Sequence, residues 1–242
     1  MWTEATAQAY DADSAGMNAP DVLGPTLDRL VEFADGGPAL ELAIGTGRVG
    51  VPLAERGVLV SGIELSEPMI AQLRGKVGPD RLPVVVGDMA HAEVEGKGGF
   101  SLVYLVFNTI SNLLEQSEQV ACFRNAAAHL RPGGRFVVEL GVPDLRRLPP
   151  DRTAAIFEEA PGRIGLDTFD VVRQREVSHH FRFGEGTEVQ LFRSRHRYVW
   201  PAELDLMGQL AGFELESREA DWSRAPFTAE SGSHVSVYRL PG

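Results

Sequence analysis

Apolar and polar residues recur along the first 140 positions in two alternating periods. Residues 21–34, DVLGPTLDRLVEFA, put Val22, Leu23, Leu27, Leu30, Val31 and Phe33 mostly on one stripe of a helix, which Gly36-Gly37 ends. Ala39 to Ile44 reads as a strand, followed by a glycine-rich turn and a helix closing at Arg56-Gly57. A second strand runs from Val58 to Leu65, and Ser66 opens the next helix as N-cap with Pro68 in its first turn. The unit then repeats: a strand from Leu82 to Val86, Gly87-Asp88, and an apolar strand from Phe100 to Phe107. A helix over 117–130 leads through Pro132-Gly133-Gly134 into a fifth strand, Arg135 to Leu140. Strands that are apolar throughout and alternate with helices predict a parallel sheet buried on both faces.

After residue 143 the rhythm changes. Pro143, Pro149, Pro150 and Pro161 break up a linker, and the stretch DTFDVVRQREVSHHFRFGEGTEVQLFRSRHRYVW alternates as antiparallel strands do, with a turn at Gly184-Glu185-Gly186. A helix from Ala202 to Leu210 and two strands, near Glu214 to Ala220 and His234 to Leu240, return to the sheet. The expected architecture is α/β: a Rossmann-like, doubly wound, mostly parallel sheet with an antiparallel terminal strand. Residues 1–145 and 200–242 form its main domain, and residues 146–199 form an inserted β-rich subdomain that serves as a substrate lid or a dimer element.

Composition narrows the partners. The 242 residues carry 23 basic and 34 acidic side chains, a net charge of −11 that opposes a polyanionic partner, so nucleic acid is not expected. The N-terminal MWTEATAQAYDADSAGM is acidic and lacks an apolar stretch, and the longest apolar run, Phe100 to Phe107, is far short of the roughly 20 residues that cross a bilayer. A soluble, cytoplasmic protein is expected. The only cysteine, Cys122, falls in a helical pattern between Val120 and Phe123 and reads as a small buried hydrophobe.

Gly45-Thr46-Gly47-Arg48-Val49-Gly50 satisfies the G-x-G-x-x-G pattern, which suits the phosphates of NAD(P) or the methionine part of S-adenosylmethionine equally well. The acids around it say more. Glu41, Glu64 and Asp88 follow one another at spacings of 23 and 24 residues, about one strand-helix unit, which lines them up along the carboxyl edge of the sheet, where open α/β folds bind ligands. Glu64 suits the ribose of either cofactor. Glu41, on a buried strand, needs a hydrogen-bonded partner, which the amino group of a bound amino acid supplies and a pyrophosphate does not.

These segments resemble the class I S-adenosylmethionine-dependent methyltransferases. Glu41-Leu42-Ala43-Ile44-Gly45-Thr46-Gly47 is similar to their first motif, with Ala43 where the first glycine is usual. Glu64-Leu65-Ser66 with Met69 is similar to the second, Gly87-Asp88-Met89 to the third, and Leu130-Arg131-Pro132-Gly133-Gly134 to the segment entering strand five. Ser101 stands where many members have aspartate. The resemblance implies that Gly45 and Gly47 let the backbone approach the methionine portion and that Glu64 binds both ribose hydroxyls. It further implies that Asp88 binds the adenine amino group with Met89 beside the ring, and that Phe107 presents its carbonyl near the cofactor's amino group. The cofactor would be S-adenosyl-L-methionine and the product S-adenosyl-L-homocysteine. Ala9-Tyr10-Asp11 resembles the N-terminal Tyr-Asp motif of small-molecule methyltransferases, particularly N-methyltransferases of nucleotide-linked amino sugars, in which the tyrosine closes over the cofactor.

The expected reaction is methyl transfer to N or O of a small-molecule acceptor, a nucleotide-linked amino sugar or a natural product. A sulfonium methyl is already activated, so placement of the nucleophile is the protein's main task and no catalytic signature is obligatory. Candidates for a catalytic part are Tyr10, Asn108 after strand four, one of His179 and His180, which point to opposite faces of a strand, and His234 before the last strand. Each also has a purely structural reading. Arg193, Arg195 and Arg197 share a strand face, either as an anion clamp or as an exposed or homodimer surface. No zinc-ligand spacing is present. An NAD(P)-dependent oxidoreductase and a non-catalytic cofactor-binding subunit stand as alternatives.

Overall fold

The computed structural model describes residues 4–13, 16, 19–148, 150–184 and 188–242. Helix α1 (Glu4–Asp13) precedes α2 (Pro20–Ala34), after which β1 (Ala39–Leu42), α3 (Gly50–Glu55), β2 (Val60–Glu64), α4 (Glu67–Arg74) and β3 (Val84–Val86) alternate. Strand β4 (Phe100–Leu105), α5 (Gln116–His129) and β5 (Leu130–Gly141) complete the parallel part. Four strands then form their own sheet: β6 (Ala154–Ala160), β7 (Arg163–Asp170), β8 (Arg175–Phe183) and β9 (Val189–Arg197). Helix α6 (Pro201–Leu210), β10 (Glu214–Glu219) and β11 (Ser233–Arg239) close the chain.

The main sheet has the order β10-β11-β5-β4-β1-β2-β3, with β11 antiparallel to both neighbours and the other neighbouring pairs parallel. The order reverses between β4 and β1, and ligand crevices in doubly wound sheets open at the carboxyl side of such a reversal. One core layer, built on Leu30, Leu53, Leu73 and Leu102, lies under α2, α3 and α4. The other packs α5 and α6 onto the opposite face, where the Phe123 ring meets Phe136 edge-on at 5.0 Å and Tyr238 at 5.5 Å. Cys122 sits in this layer, fully buried, and burial together with the charge of Asp88 pushes its thiol well above the ordinary range. No helix among the described residues is long and apolar enough to cross a membrane.

Three elements differ from the sequence expectation. Helix α1 was not expected, because its segment EATAQAYDAD offers only alanines and Tyr10 as apolar positions and shows no larger apolar stripe. Strand β5 begins at Leu130, not Arg135: Leu130 pairs with Phe100, and Pro132-Gly133-Gly134 forms a local register shift inside the strand. There Gly133 adopts φ +78°, and its N–H donates to the Leu240 carbonyl at 2.8 Å. Strand β4 stops at Leu105, because Phe107 and Asn108 turn left-handed. Pro149 of the linker and Glu185 and Gly186 of the expected turn lie outside the described residues.

The four-stranded antiparallel sheet is fastened at one end. Arg197, 5% exposed, donates to Gln119 Oε1 at 2.5 Å, Glu203 Oε1 at 2.7 Å and Gln174 Oε1 at 3.2 Å, fixing β9 to α5 and α6. This corrects the arginine stripe: Arg193, Arg195 and Arg197 do share a face, but Arg197 is an internal clamp and Arg193 bonds His179 within the sheet.

Candidate active site

The glycine turn after β1 is built from backbone shapes that side chains resist. Gly45 and Gly47 adopt φ +60° and +81°, and a Cβ on Gly47 would stand 2.7 Å from Val51. Ala43 also takes a left-handed φ of +54°, a conformation that costs a side chain about 1–2 kcal/mol. The alanine where glycine is usual therefore keeps the glycine shape at the expense of local strain. At Gly50 the need is proximity, because a Cβ there would lie 2.6 Å from Glu41 Oε2.

Strands β1, β2 and β3 are neighbours, so Glu41, Glu64 and Asp88 succeed one another across the carboxyl edge. Glu64 Oε2 accepts the Gly45 N–H at 2.8 Å and Oε1 accepts the Ser66 N–H at 2.8 Å. Burial raises its carboxyl above the ordinary value, partly offset by those amides. Each oxygen retains lone-pair capacity for a further donor. Asp88 accepts the Ala90 N–H at 2.8 Å, stabilising the turn that carries the buried Met89. Glu41 is 3% exposed; its Oε2 accepts from the Tyr104 hydroxyl at 3.0 Å, and the Gly50 N–H bonds it too. Burial pushes its carboxyl up to about 8. Glu41, for which the sequence suggested a ligand's amino group as partner, thus already has one inside the chain: β4 supplies Tyr104.

Helix α1 is latched onto this turn. Thr46 Oγ1 donates to Asp11 Oδ1 at 2.6 Å, Lys76 Nζ pairs with Asp11 Oδ2 at 2.5 Å, and Lys76 donates to the Thr46 carbonyl at 3.0 Å. Burial would raise the Asp11 carboxyl, but the bonds from Lys76 and Thr46 outweigh it and hold it below its ordinary value. Tyr10 precedes this latch on the same helix.

At the ends of β4 and β5 the chain makes a second shaped edge. Phe107 and Asn108 are consecutive left-handed residues, both at φ 57°, and such positions cost of order 1–3 kcal/mol each unless the surroundings enforce them. Here Glu139 Oε2 accepts the Phe107 N–H at 2.8 Å and Asn108 Oδ1 accepts the Gly141 N–H at 2.5 Å. The Phe107 ring is 45% exposed and carries the Arg48 guanidinium 5.3 Å from its centroid, joining this edge to the glycine turn. Glu139 and Arg48 were not singled out from the sequence, and Asp11 was named there only as part of the Tyr-Asp motif. Glu139 carries the same signal as Glu41 and Glu64, an acid near the end of an apolar strand.

Leu65 is exposed beside Glu64, whereas the Met69 side chain is buried in α4. His179 bonds Thr168 Oγ1 at 3.2 Å and Arg193, and stacks on Phe181, all within the second sheet. His234 is fully buried on β11, with Nδ1 2.8 Å from Ser236 Oγ and the ring edge-on to Phe227. Burial lowers it to about 4, so it is neutral at physiological pH. Among the described residues no hydrogen bond or ring contact joins His179 or His234 to the glycine turn. Ser101 Oγ donates to the Ala34 carbonyl at 2.7 Å, tying β4 to the α2–β1 connection.

Residues 39–134 match the methyltransferase domain family. The CcbJ methyltransferase of Streptomyces caelestis, a solved structure, is 40% identical with a TM-score of 0.80, over 90% of this chain and 89% of that one. The chain belongs to the class I S-adenosylmethionine-dependent methyltransferases. Among curated relatives of this methyltransferase, the cypemycin N-terminal methyltransferase of a Streptomyces species is 27% identical over 84% of the chain and 83% of that protein. A dTDP-3-amino-3,6-dideoxy-alpha-D-glucopyranose N,N-dimethyltransferase of Streptomyces fradiae is 35% identical over 63% of the chain and 54% of that protein. The comparisons carry no support for the nicotinamide reading. The residues of the methyltransferase fit its cofactor, S-adenosylmethionine: a Cβ built on Gly45 meets nothing nearer than the Ala43 carbonyl at 4.0 Å, leaving the turn open beside the carboxylate row.

Proposed function

We propose that this methyltransferase alkylates an amine nitrogen of a small-molecule acceptor docked at the carboxyl ends of β4 and β5. The observation that carries the reading is Glu139, a carboxylate held at that edge by the Phe107 N–H beside the left-handed Phe107-Asn108 pair. An anionic group there suits an amine better than an alcohol, which needs a base strong enough to remove its proton. The names of two relatives, one an N-terminal and one an N,N-dimethyltransferase, support nitrogen.

Gly45, Thr46 and Gly47 with Glu41 would receive the amino-acid part of the cofactor, Glu64 and Leu65 its ribose, and Asp88 and Met89 its adenine. Tyr10 and Asp11 would hold α1 over it, and Phe107 would close its acceptor side. Bound there, S-adenosylmethionine supplies an already activated methyl group, so the chain's own work is orientation and exclusion of water. Glu139 accepts a hydrogen bond from the acceptor nitrogen, aiming its lone pair, while Asn108 keeps β5 registered against β4.

The test is a set of matched acceptors: primary amines, their N-acetyl counterparts and the corresponding alcohols, with product mass read after incubation with cofactor. Amines should gain methyl groups and the other two classes should not. Glu139→Gln keeps an oxygen for the Phe107 N–H but loses the charge, so kcat/KM for the amine should fall about 10- to 100-fold, with S-adenosylhomocysteine affinity unchanged. Methylation of alcohols with amines inert would overturn the nitrogen assignment.

A further inference from the structure

The second sheet has two unlike faces. One carries Arg197, which is clamped to α5 and α6; the other is the opposite side of the strands, set by their alternation. On the second face, Asp167, Ser178 and Ser194 lie opposite one another on β7, β8 and β9, a row of short polar side chains. The rows on either side are bulkier. On one side His180 and Phe192 pair at 5.8 Å, and Phe157 folds over Gly165 to meet His180 edge-on at 5.3 Å. On the other side stand Phe169, Glu176 and His196. The arginines of this face, Arg163 and Arg182, stand with Gln190 in a row farther along the strands, beyond His180.

Asp167 is 6% exposed, and its Oδ1 is buried without a hydrogen-bond partner. Among the described residues no lysine or arginine pairs with it. His196 on the same face interacts with it and with His180, and burial holds the His196 imidazole below its ordinary value. A buried acceptor oxygen left without a donor is costly, and a cationic N–H or N-alkyl group would complete it. Phenylalanines on the rows flanking a carboxyl favour a substituted ammonium over a metal ion, since aromatic rings attract a diffuse organic cation.

We propose that this face of the inserted sheet, centred on Asp167 and walled by Phe157, Phe169 and Phe192, binds an organic ammonium group of the acceptor other than the nitrogen that receives the methyl. The subsite rests on the amine-acceptor reading above for its role and on Asp167's missing partner for its chemistry. It makes Asp167 a specificity-determining residue that discriminates cationic from neutral acceptors.

Choline and 3,3-dimethylbutan-1-ol are isosteres differing in charge, and ligand-observed NMR titration with S-adenosylhomocysteine present compares them on the intact protein. Wild type should bind choline at least about 10-fold more tightly than the alcohol, and Asp167→Asn should remove that preference while leaving the alcohol unchanged. Phe169→Leu, in case the first variant folds poorly, should weaken choline more than the alcohol. Unchanged S-adenosylhomocysteine affinity in both variants verifies the fold. Equal binding of the two probes to wild type, or full choline affinity in a folded Asp167→Asn protein, overturns the subsite. Choline selectivity in a protein that methylates only alcohols would leave the subsite standing and sink the nitrogen assignment.

Discussion

Replacing Glu41 by glutamine removes one titration and almost nothing else. In the folded chain its carboxyl titrates near 8, against an ordinary value of 4.5, with burial as the main cause and Tyr104 as the main offset. Between those values the folded chain binds more protons than the unfolded one, so stability falls as pH rises through that window. Each pKa unit is worth about 1.36 kcal/mol, so the proton taken up on folding costs about 3 kcal/mol at pH 7 and under about 1 kcal/mol at pH 5. Glu41→Gln keeps an oxygen for the Tyr104 hydroxyl and carries no charge at any pH. Urea unfolding across pH 5 to 8 should therefore show the wild-type midpoint falling and the variant's midpoint staying nearly level, with equal m-values. Parallel profiles would refute the burial argument. The same proton reports on the cofactor: if Glu41 ionises against the amino group of S-adenosylmethionine, binding releases it. Calorimetry at pH 7 in buffers of different ionisation enthalpy should then find up to about one more proton released by wild type than by Glu41→Gln.

Ala43→Gly should exchange left-handed strain of about 1–2 kcal/mol for backbone entropy of about 0.5–1 kcal/mol, a net gain of at most about 1.5 kcal/mol in urea unfolding; a loss would show that the Ala43 methyl packs more than its backbone strains. Asp11→Ala should free α1, so limited proteolysis should cleave the first dozen residues faster and S-adenosylhomocysteine affinity should fall, while the main thermal transition moves little. Because the Asp11 carboxyl lies below its ordinary value, the latch is present above that value and is lost as pH falls through the lowered one, so wild-type proteolysis should accelerate in acid and Asp11→Ala should not change. Gly47→Ala would place a methyl 2.7 Å from Val51 at φ +81° and should destabilise the chain by about 2 kcal/mol or more in the same unfolding assay.

What could be read from the sequence follows the distance over which each feature is specified. The helix over 20–34 and the Ser66 cap are local: one depends on an apolar stripe, the other on a hydroxyl that accepts the Met69 N–H at 3.4 Å. Glu41, Glu64 and Asp88 were legible because a parallel βαβ repeat converts a sequence spacing into a row in space. Partners across that row were not legible. Tyr104 meets Glu41 from 63 residues away, and Asp11 meets Thr46 from 35, distances at which periodicity says nothing about which side chains face each other. The same reason hid Glu139, whose meaning comes from Phe107 turning left-handed 32 residues earlier. Asp167 shows the limit from the opposite direction: alternation assigns it to a face of β7, but its importance lies in a counter-charge that β8 and β9 do not provide. A missing partner is a property of the assembled surface, and only the three strands in register reveal it.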